Sequence, residues 1–306
     1  MTTQAVRAHS GIQIARYADR PVVRRAVLIA ALGNYTHPDT RHSIAQYLLP
    51  GLEARATAHD QALRAEVERR VRRVVAAARC TQDNAASVQQ NDTTVMSSES
   101  GLTSATAPHL FDLPSPLGSS PSEYVRAAHG WISKTSFLVD TLPPKGHAVW
   151  RQSTASPNVY PYVLVDATFY HPKLLMNVSG PGVHAAAVLS GVDIPNGILV
   201  LHDELSRAFG KVSTKDGGSA AGHNGVRSVL DALRFGNNEA DFTRVRIGID
   251  RPPPGIDVSR WVLGRMPLDQ LAECQWPAAP PATGRIAELT WAQVCAWCGR
   301  FNLQHG

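Results

Sequence analysis

The chain has 306 residues, 43% of them hydrophobic, which is enough to bury one sizeable core. Its longest apolar run, at 26–33, is far shorter than the roughly 20 residues needed to cross a bilayer, so no membrane partner is expected. The formal net charge of +5 suits a polyanionic partner, although a solvated basic face explains the same charge. Four cysteines in a chain of this length exclude a disulfide framework and indicate a reducing compartment.

The first 25 residues are basic, with five arginines against a single acid, Asp19. This composition is compatible with a mitochondrial transit peptide, but the segment is poor in serine and a strand follows almost at once. A basic tail explains residues 1–25 equally well, and the expected compartment is mitochondrial or cytoplasmic. The folded domain is predicted to occupy 26–306.

Short apolar runs alternate with amphipathic segments along the chain. The run at 26–32 predicts a buried strand, and helices are predicted at 43–49, where Pro50-Gly51 interrupts the pattern, and at 57–79. Further strands are predicted at 131–139, 159–169, 197–205, 210–215 and 242–250, and further helices at 179–191 and 223–235. Strands interleaved with helices predict a single α/β domain, three layers deep (α/β/α), around a mixed, mostly parallel, twisted sheet.

The composition changes abruptly at 81–123, which is rich in serine, threonine, glutamine, asparagine and proline. Because burial of so few apolar residues cannot offset the loss of conformational entropy on folding, this segment is predicted to be a disordered insertion. The helix before it carries arginines along one face, which we interpret as a solvated face in preference to an RNA-binding one. Cys295 and Cys298 have CxxC spacing without a second pair, and are predicted to pack inside a C-terminal helix.

Polar side chains follow the ends of several predicted strands, where the functional crevice of an open α/β sheet lies. Asn34 and His42 follow the first strand, and Asp203 stands near the end of the strand at 197–205. Asn177 and Asn224 each stand at the start of a predicted helix. A His–Asp pair can hold an imidazole in one tautomer and let it take a proton from water, while asparagines hydrogen-bond a peptide-like substrate.

The sequence lacks the motifs of other hydrolytic mechanisms. It has no G-x-S-x-G, no H-E-x-x-H and no G-x-x-x-x-G-K-[ST]. The small residues of "KDGGSAAGHNGVRSV", at 215–229, predict a loop that lets the backbone approach a ligand closely. The residues therefore favour attack of water on a carbonyl, with no metal and no covalent intermediate.

Four blocks occur in a fixed order along the chain. They are "LIAALGNYTHPDTRHS", "LLMNVSG", "ILVLHDELSRAFGKVSTKDGGSAAGHNGVRSV" and "FTRVRIGIDRP…VSRWVLGRMP". In this order they resemble the bacterial-type peptidyl-tRNA hydrolase family, and the insertion favours a eukaryotic, fungal-like or organellar member. The resemblance implies a monomer that hydrolyses the ester joining peptide to tRNA in peptidyl-tRNA without a cofactor, and so returns tRNA to translation after ribosome rescue.

The resemblance also implies roles for the candidate residues. His42 is the expected general base that activates water, and Asp203 is expected to orient His42 and stabilise its protonated form. Asn34, Asn177 and Asn224 are expected to line the peptide groove and position the ester. Asn34 and Asn177 could instead serve only as turn or cap residues.

Two basic residues match the family's clamp for the 5′-phosphate end of tRNA, namely Lys215 and Arg246. Solvated surface charges are the alternative explanation for both. His223, which precedes Asn224, is expected to support its loop.

The chain departs from the family pattern at positions close to these residues. Tyr35-Thr36 stands where the family has Pro-Gly, and the segment from Asn34 to His42 is shorter than usual. Leu175 replaces an aromatic residue, and "SAA" at 219–221 replaces a stretch richer in glycine. Two alternatives therefore stay open: an RNA-binding relative that has lost hydrolysis, and an esterase that acts on a different acyl ester.

Overall fold

The computed structural model describes residues 14–17, 20–89, 120–141, 161–234, 241–277 and 283–300. The strands are β1 (Ile14–Tyr17), β2 (Arg20–Ala31), β3 (Ser120–Val125), β4 (Gly130–Asp140), β5 (Tyr162–Pro172), β6 (Ile198–Glu204), β7 (Val212–Asp216) and β8 (Thr243–Gly248). The α-helices are α1 (Ile44–Gln89), α2 (Gly180–Ser190), α3 (Asn224–Leu233), α4 (Val258–Val262), α5 (Leu268–Ala272) and α6 (Arg285–Cys298). Short 3₁₀ turns occur at Arg41–Ser43, Arg126–Ala128 and Met176–Val178.

The strands form one mixed sheet in the order β3-β4-β5-β2-β6-β8-β7, with β1 beside β2. The four strands β5, β2, β6 and β8 are parallel to one another. The pairings of β3 with β4, β4 with β5, β7 with β8 and β1 with β2 are antiparallel. The predicted mixed sheet is confirmed, with its parallel part confined to the centre. Because parallel strands end at one edge, the segments after β2, β5 and β6 converge there.

Helices cover both faces of the sheet, which confirms the predicted three layers. Along β2, Val27 and Ile29 pack with α1 and α6, whereas the alternate residue Leu28 packs with α2 and α3. The predicted C-terminal helix is α6, and both Cys295 and Cys298 pack in it against the first of these cores. Burial raises the pKa of the Cys298 thiol to about 12, which is the behaviour of a packing residue.

Helix α1 is continuous, and the predicted interruption at Pro50 is wrong. A proline inside a helix costs about 3 kcal/mol. On the same helix Leu48, Leu49 and Leu52 are almost completely buried in the core. Each buried leucine contributes about 1.5–3 kcal/mol, so packing on the sheet outweighs the unfavourable proline.

The sheet takes in part of the segment predicted as a tail. Strand β2 begins at Arg20, ahead of the predicted start at residue 26. The Arg24 guanidinium bonds the Asp166 carboxylate of the neighbouring strand, and Arg25 stacks on Trp297 with 4.3 Å between guanidinium carbon and ring centroid. These arginines therefore belong to the domain, while residues 1–13 lie outside the described residues.

The structure also moves both ends of the predicted insertion at 81–123. Helix α1 continues to Gln89 and strand β3 begins at Ser120. The rest of that segment, 90–119, lies outside the described residues.

The arginine face of α1 is partly neutralised within the helix. Arg69 pairs with Glu66 at 2.7 Å and Arg72 pairs with Glu68 at 3.7 Å, which supports the interpretation as a solvated face. None of the helices in the described ranges combines the length and the apolar composition that crossing a bilayer requires.

Candidate active site

The carboxyl ends of β2 and β6 bring His42 and Asp203 into contact. His42 lies in the 3₁₀ turn that follows β2, and Asp203 lies near the end of the neighbouring parallel strand β6. The His42 Nδ1 atom is 2.9 Å from Oδ1 and 3.0 Å from Oδ2 of Asp203. Asp203 is buried and His42 is partly exposed, so the pair presents one face of the imidazole to the solvent side.

A second imidazole, that of His223, donates to the same carboxylate. Its Nε2 lies 2.9 Å from Asp203 Oδ1, and its Nδ1 accepts the main-chain N–H of Val226 at 3.2 Å, which caps α3. Because Nδ1 accepts, the proton of a neutral His223 is on Nε2. The sequence assigned His223 only to loop support and missed this bond. The ligand atoms of His42, Asp203 and His223 lie within 4.8 Å of one another, a set that could hold a metal ion.

The neighbours of Asp203 and His42 shift the pKa of each of these two groups. Burial alone would raise the pKa of Asp203, but the neighbouring His223 and His42 hold it well below its usual range. Burial opposes charging of His42, yet the charge and hydrogen bond of Asp203 outweigh it and raise the pKa of His42 above 6.5. Ionised Asp203 therefore accepts the Nδ1–H of neutral His42, which leaves the Nε2 lone pair as the proton acceptor.

His202 lies behind this group and was not singled out from the sequence. Its Nδ1 donates to the Asp203 carbonyl oxygen at 2.6 Å, and its ring meets that of His223 edge-on with centroids 4.8 Å apart. Burial, assisted by the charge of His223, lowers the pKa of His202 to about 3. His202 is therefore a neutral packing partner of the site, and it is as buried as the apolar residues that precede it on β6.

All three predicted groove asparagines line one cleft with the His–Asp pair. Asn34, Asn177 and Asn224 enter this cleft from the segments after β2 and β5 and from the start of α3. With His42 and Asp203 they surround a volume of about 720 Å³. The five residues predicted for catalysis and groove binding thus gather in one place, although they span most of the sequence.

The shortened loop before His42 closes through its own polar groups. The main-chain N–H of Asn34 donates to Ser43 Oγ at 2.9 Å. The Thr36 hydroxyl donates to Asn34 Oδ1, also at 2.9 Å. With one bond already on its oxygen, the Asn34 side chain can turn its amide N–H groups to the cleft as donors.

Arg41 fixes the turn that carries His42 against α4 and the segment that follows it. Its guanidinium carbon lies 3.8 Å from the Trp261 ring centroid, and its Nη1 donates to the Arg265 carbonyl at 3.3 Å. The Arg41 main-chain N–H donates to the Gly264 carbonyl at 3.2 Å. Since α4 also lines the cleft, this contact, which we call the Arg41–Trp261 latch, joins two walls of the site.

Lys215 and Arg246 lie on β7 and β8, outside the residues that line the cleft. In the antiparallel register Lys215 pairs with Arg244, and Ser213 pairs with Arg246. Cross-strand partners share a sheet face, so the two predicted clamp residues project from the same side. The Arg246 Nη2 donates to Ser213 Oγ at 3.3 Å.

Buried Arg244, which sequence reasoning missed, holds the glycine-rich loop. Its guanidinium donates to the carbonyl oxygens of Ser219 at 3.1 Å, Gly218 at 3.2 Å and Gly217. Gly217 and Gly218 have φ angles of +54° and +76°, so the loop needs glycine to turn its carbonyls inward. The alternation along β8 predicts that Arg244 and Arg246 share one face of the sheet. It does not predict the partners of Arg244, because these are main-chain oxygens, which every residue type presents.

Comparisons with the sequences of known proteins agree on one family. A family model described as peptidyl-tRNA hydrolase matches residues 135–293, a range that includes Asp203 and Asn224 but not Asn34 or His42. A peptidyl-tRNA hydrolase of Chloroflexus aurantiacus is 33% identical over 177 residues, covering 56% of this chain and 86% of that protein. One of Treponema pallidum is 35% identical over 182 residues, covering 58% and 83%. A crystal structure of peptidyl-tRNA hydrolase from Acinetobacter baumannii covers 94% of this chain and 98% of its own at 16% identity, with a TM-score of 0.42.

Proposed function

Because this chain belongs to the peptidyl-tRNA hydrolase family, whose members cleave the ester between peptide and tRNA, we propose that His42 is the general base of that reaction. The observation that carries the proposal is the 2.9 Å bond between His42 Nδ1 and the buried carboxylate of Asp203. It fixes the tautomer in which Nε2 accepts a proton and stabilises the imidazolium that results.

In the reaction, one water molecule attacks the ester while His42 transfers one of its protons. As the water oxygen bonds to the ester carbonyl carbon, His42 Nε2 takes a proton from it and Asp203 balances the new charge. When the tetrahedral intermediate collapses, the carbon–oxygen bond to the ribose breaks and His42 gives the proton to the leaving ribose oxygen, which becomes a hydroxyl of tRNA. The products are a peptide carboxylic acid and free tRNA, and His42 is neutral again once they form.

The three asparagines position the substrate in the same cleft. Asn34 is oriented by the bond from the Thr36 hydroxyl to its oxygen, and its amide N–H groups suit a carbonyl of the peptide. Asn177 and Asn224 complete the lining on the sides of β5 and α3. We assign all three to substrate binding and orientation, which is worth several kcal/mol in reactions of this type.

We assign the 5′-phosphate of tRNA to Lys215 and Arg246. Burial and the charge of Arg207 lower the pKa of Arg246, so a phosphate placed here would relieve the crowding of positive charge. Replacing Lys215 with alanine should lower the slope of log binding constant against log salt by about one phosphate contact. An unchanged slope would remove Lys215 from the clamp.

We further propose that the protein works as a monomer in mitochondria or the cytoplasm, recycling tRNA after ribosome rescue. The mitochondrial option rests only on the composition of residues 1–25, because Arg24 and Arg25 are engaged in the folded domain. Import of a fluorescent protein carrying residues 1–25 would establish that option, and a cytoplasmic distribution would establish the other. Sedimentation equilibrium would test the monomer.

The direct test is release of the N-acetylated amino acid from N-acetylaminoacyl-tRNA, comparing the wild type with His42→Ala. We expect turnover by the wild type and a loss of about two orders of magnitude or more in the variant, with tRNA affinity retained. A folded wild-type protein that binds tRNA without turnover would show instead that the chain is an RNA-binding relative of the family.

A further inference from the structure

One wall of the cleft is apolar and half exposed. Leu175, Val258 and Leu263 retain 47%, 49% and 40% of their surface to solvent, and all three line the cleft beside His42. Single exposed apolar side chains are ordinary on a protein surface, but several gathered in one concavity indicate a binding site. We call these three residues the apolar wall.

Two separate segments build the apolar wall. Leu175 comes directly before the 3₁₀ turn that carries Asn177, whereas Val258 begins α4 and Leu263 follows its end. The buried side chains of Met176 and Val262 also line the cleft. The wall is therefore backed by core residues on both segments and is part of the permanent lining.

The charges of the cleft are acidic. Its lining includes the carboxylates of Asp203, Glu204 and Asp257, and no lysine or arginine is among the described residues that line it. Asp257 is occupied as the cap of α4, where it accepts the main-chain N–H groups of Ser259 and Arg260. An uncharged apolar group therefore finds a complementary surface against the apolar wall.

We propose that the apolar wall binds the side chain of the amino acid whose ester is cleaved, so that the enzyme prefers peptides ending in an apolar residue. The inference rests on the proposed function, because the substrate must place its ester carbonyl beside His42. The side chain of that last residue stands one carbon away from the carbonyl and so lies within the same cleft. Binding there contributes to the transition state as well, since the side chain stays in place during the attack of water.

The test uses one tRNA acylated with either N-acetyl-leucine or N-acetyl-asparagine, whose side chains are similar in size and shape. We expect kcat/KM to favour the leucyl ester by about tenfold, the lower end of what an apolar pocket gives, because the wall is half exposed. Equal values for the two esters would overturn the inference and leave the proposed function standing. Absence of turnover with both esters by folded protein would overturn both.

Variants then tie the preference to the wall. The double variant Leu175→Ser/Val258→Ser should lower the preference to about threefold or less by slowing the leucyl ester alone. The matched control is Leu268→Ser, which changes an 84% exposed leucine outside the cleft lining and should keep the wild-type preference. The single variant Val258→Ser covers the case in which the double variant melts below the assay temperature. A preference that survives in a folded wall variant would contradict the assignment.

Discussion

Replacing Asp203 with asparagine should reverse the tautomer of His42 and so remove the base. The carboxylate accepts one N–H from His42 and one from His223. Asparagine offers one acceptor oxygen and one N–H donor group in its place. His223 keeps its proton on Nε2 because its Nδ1 accepts from Val226, so it retains the oxygen. His42 is then left facing the amide N–H, accepts it at Nδ1 and carries its own proton on Nε2.

The same tautomer reversal in the buried Asp–His pair of serine proteases costs about 10⁴ in kcat. We expect a loss of about three to four orders of magnitude here, which is about 4–5 kcal/mol on the barrier. The effect should fall on kcat, so the assay is multiple-turnover hydrolysis of N-acetylaminoacyl-tRNA at saturating substrate. Nitrogen-15 NMR of the histidines reports the tautomer directly.

The matched control is Asp193→Asn, which removes an exposed carboxylate whose side chain bonds Asn196 away from the cleft. This variant should keep the wild-type kcat. The reasoning would be refuted by a folded Asp203→Asn protein that retains more than a tenth of the wild-type kcat, or by a His42 that still carries its proton on Nδ1.

Two further substitutions test the surroundings of the site. Arg41→Ala removes the contact with Trp261 and should lower kcat about tenfold through misplacement of His42, with little change in KM. The control Arg265→Ala, at an exposed ion pair, should leave kcat unchanged. Equal effects of the two substitutions on kcat would exclude positioning of His42 through the Arg41–Trp261 latch. Ala221 has a φ of +48°, so Ala221→Gly should stabilise the fold by about 1 kcal/mol in thermal unfolding. The control Ala220→Gly should destabilise the fold. A lower melting temperature for Ala221→Gly would show that the backbone at Ala221 stores no strain.

The sequence predicts the positions of those site residues that stand at the ends of strands. His42 and Asp203 follow or end two apolar runs, and parallel neighbouring strands bring such positions to one edge. Two of the groove asparagines obey the same rule, since Asn34 follows β2 and Asn177 follows β5, whereas Asn224 enters the cleft from the start of α3. The family resemblance supplied their roles, which stay predictions.

The contacts that the sequence does not predict join loops to distant backbone. Arg244 binds carbonyl oxygens, which every residue type presents alike, and the latch between Arg41 and Trp261 crosses more than two hundred residues. The predicted end of the helix at Pro50 failed for a different reason, because the packing of buried leucines outweighs the local cost of a proline in a helix. Periodicity reports which face of an element is buried, but not which loop folds over it.

Protonation of His42 should affect the stability and the activity of the protein in opposite directions as pH changes. The pKa of His42 is raised in the folded state, so its bond to Asp203 contributes stability that is complete below the unfolded value of 6.5 and is lost as pH rises through the folded pKa. Activity needs neutral His42 and should rise over that window. Both trends should vanish in His42→Asn.

The most direct measurement is therefore the pH profile of kcat/KM beside an NMR titration of the His42 ring in the free enzyme. The account predicts that activity rises with pH and that its midpoint coincides with the His42 pKa, above 6.5. An activity that stays flat or falls while His42 loses its proton would contradict His42 as the general base.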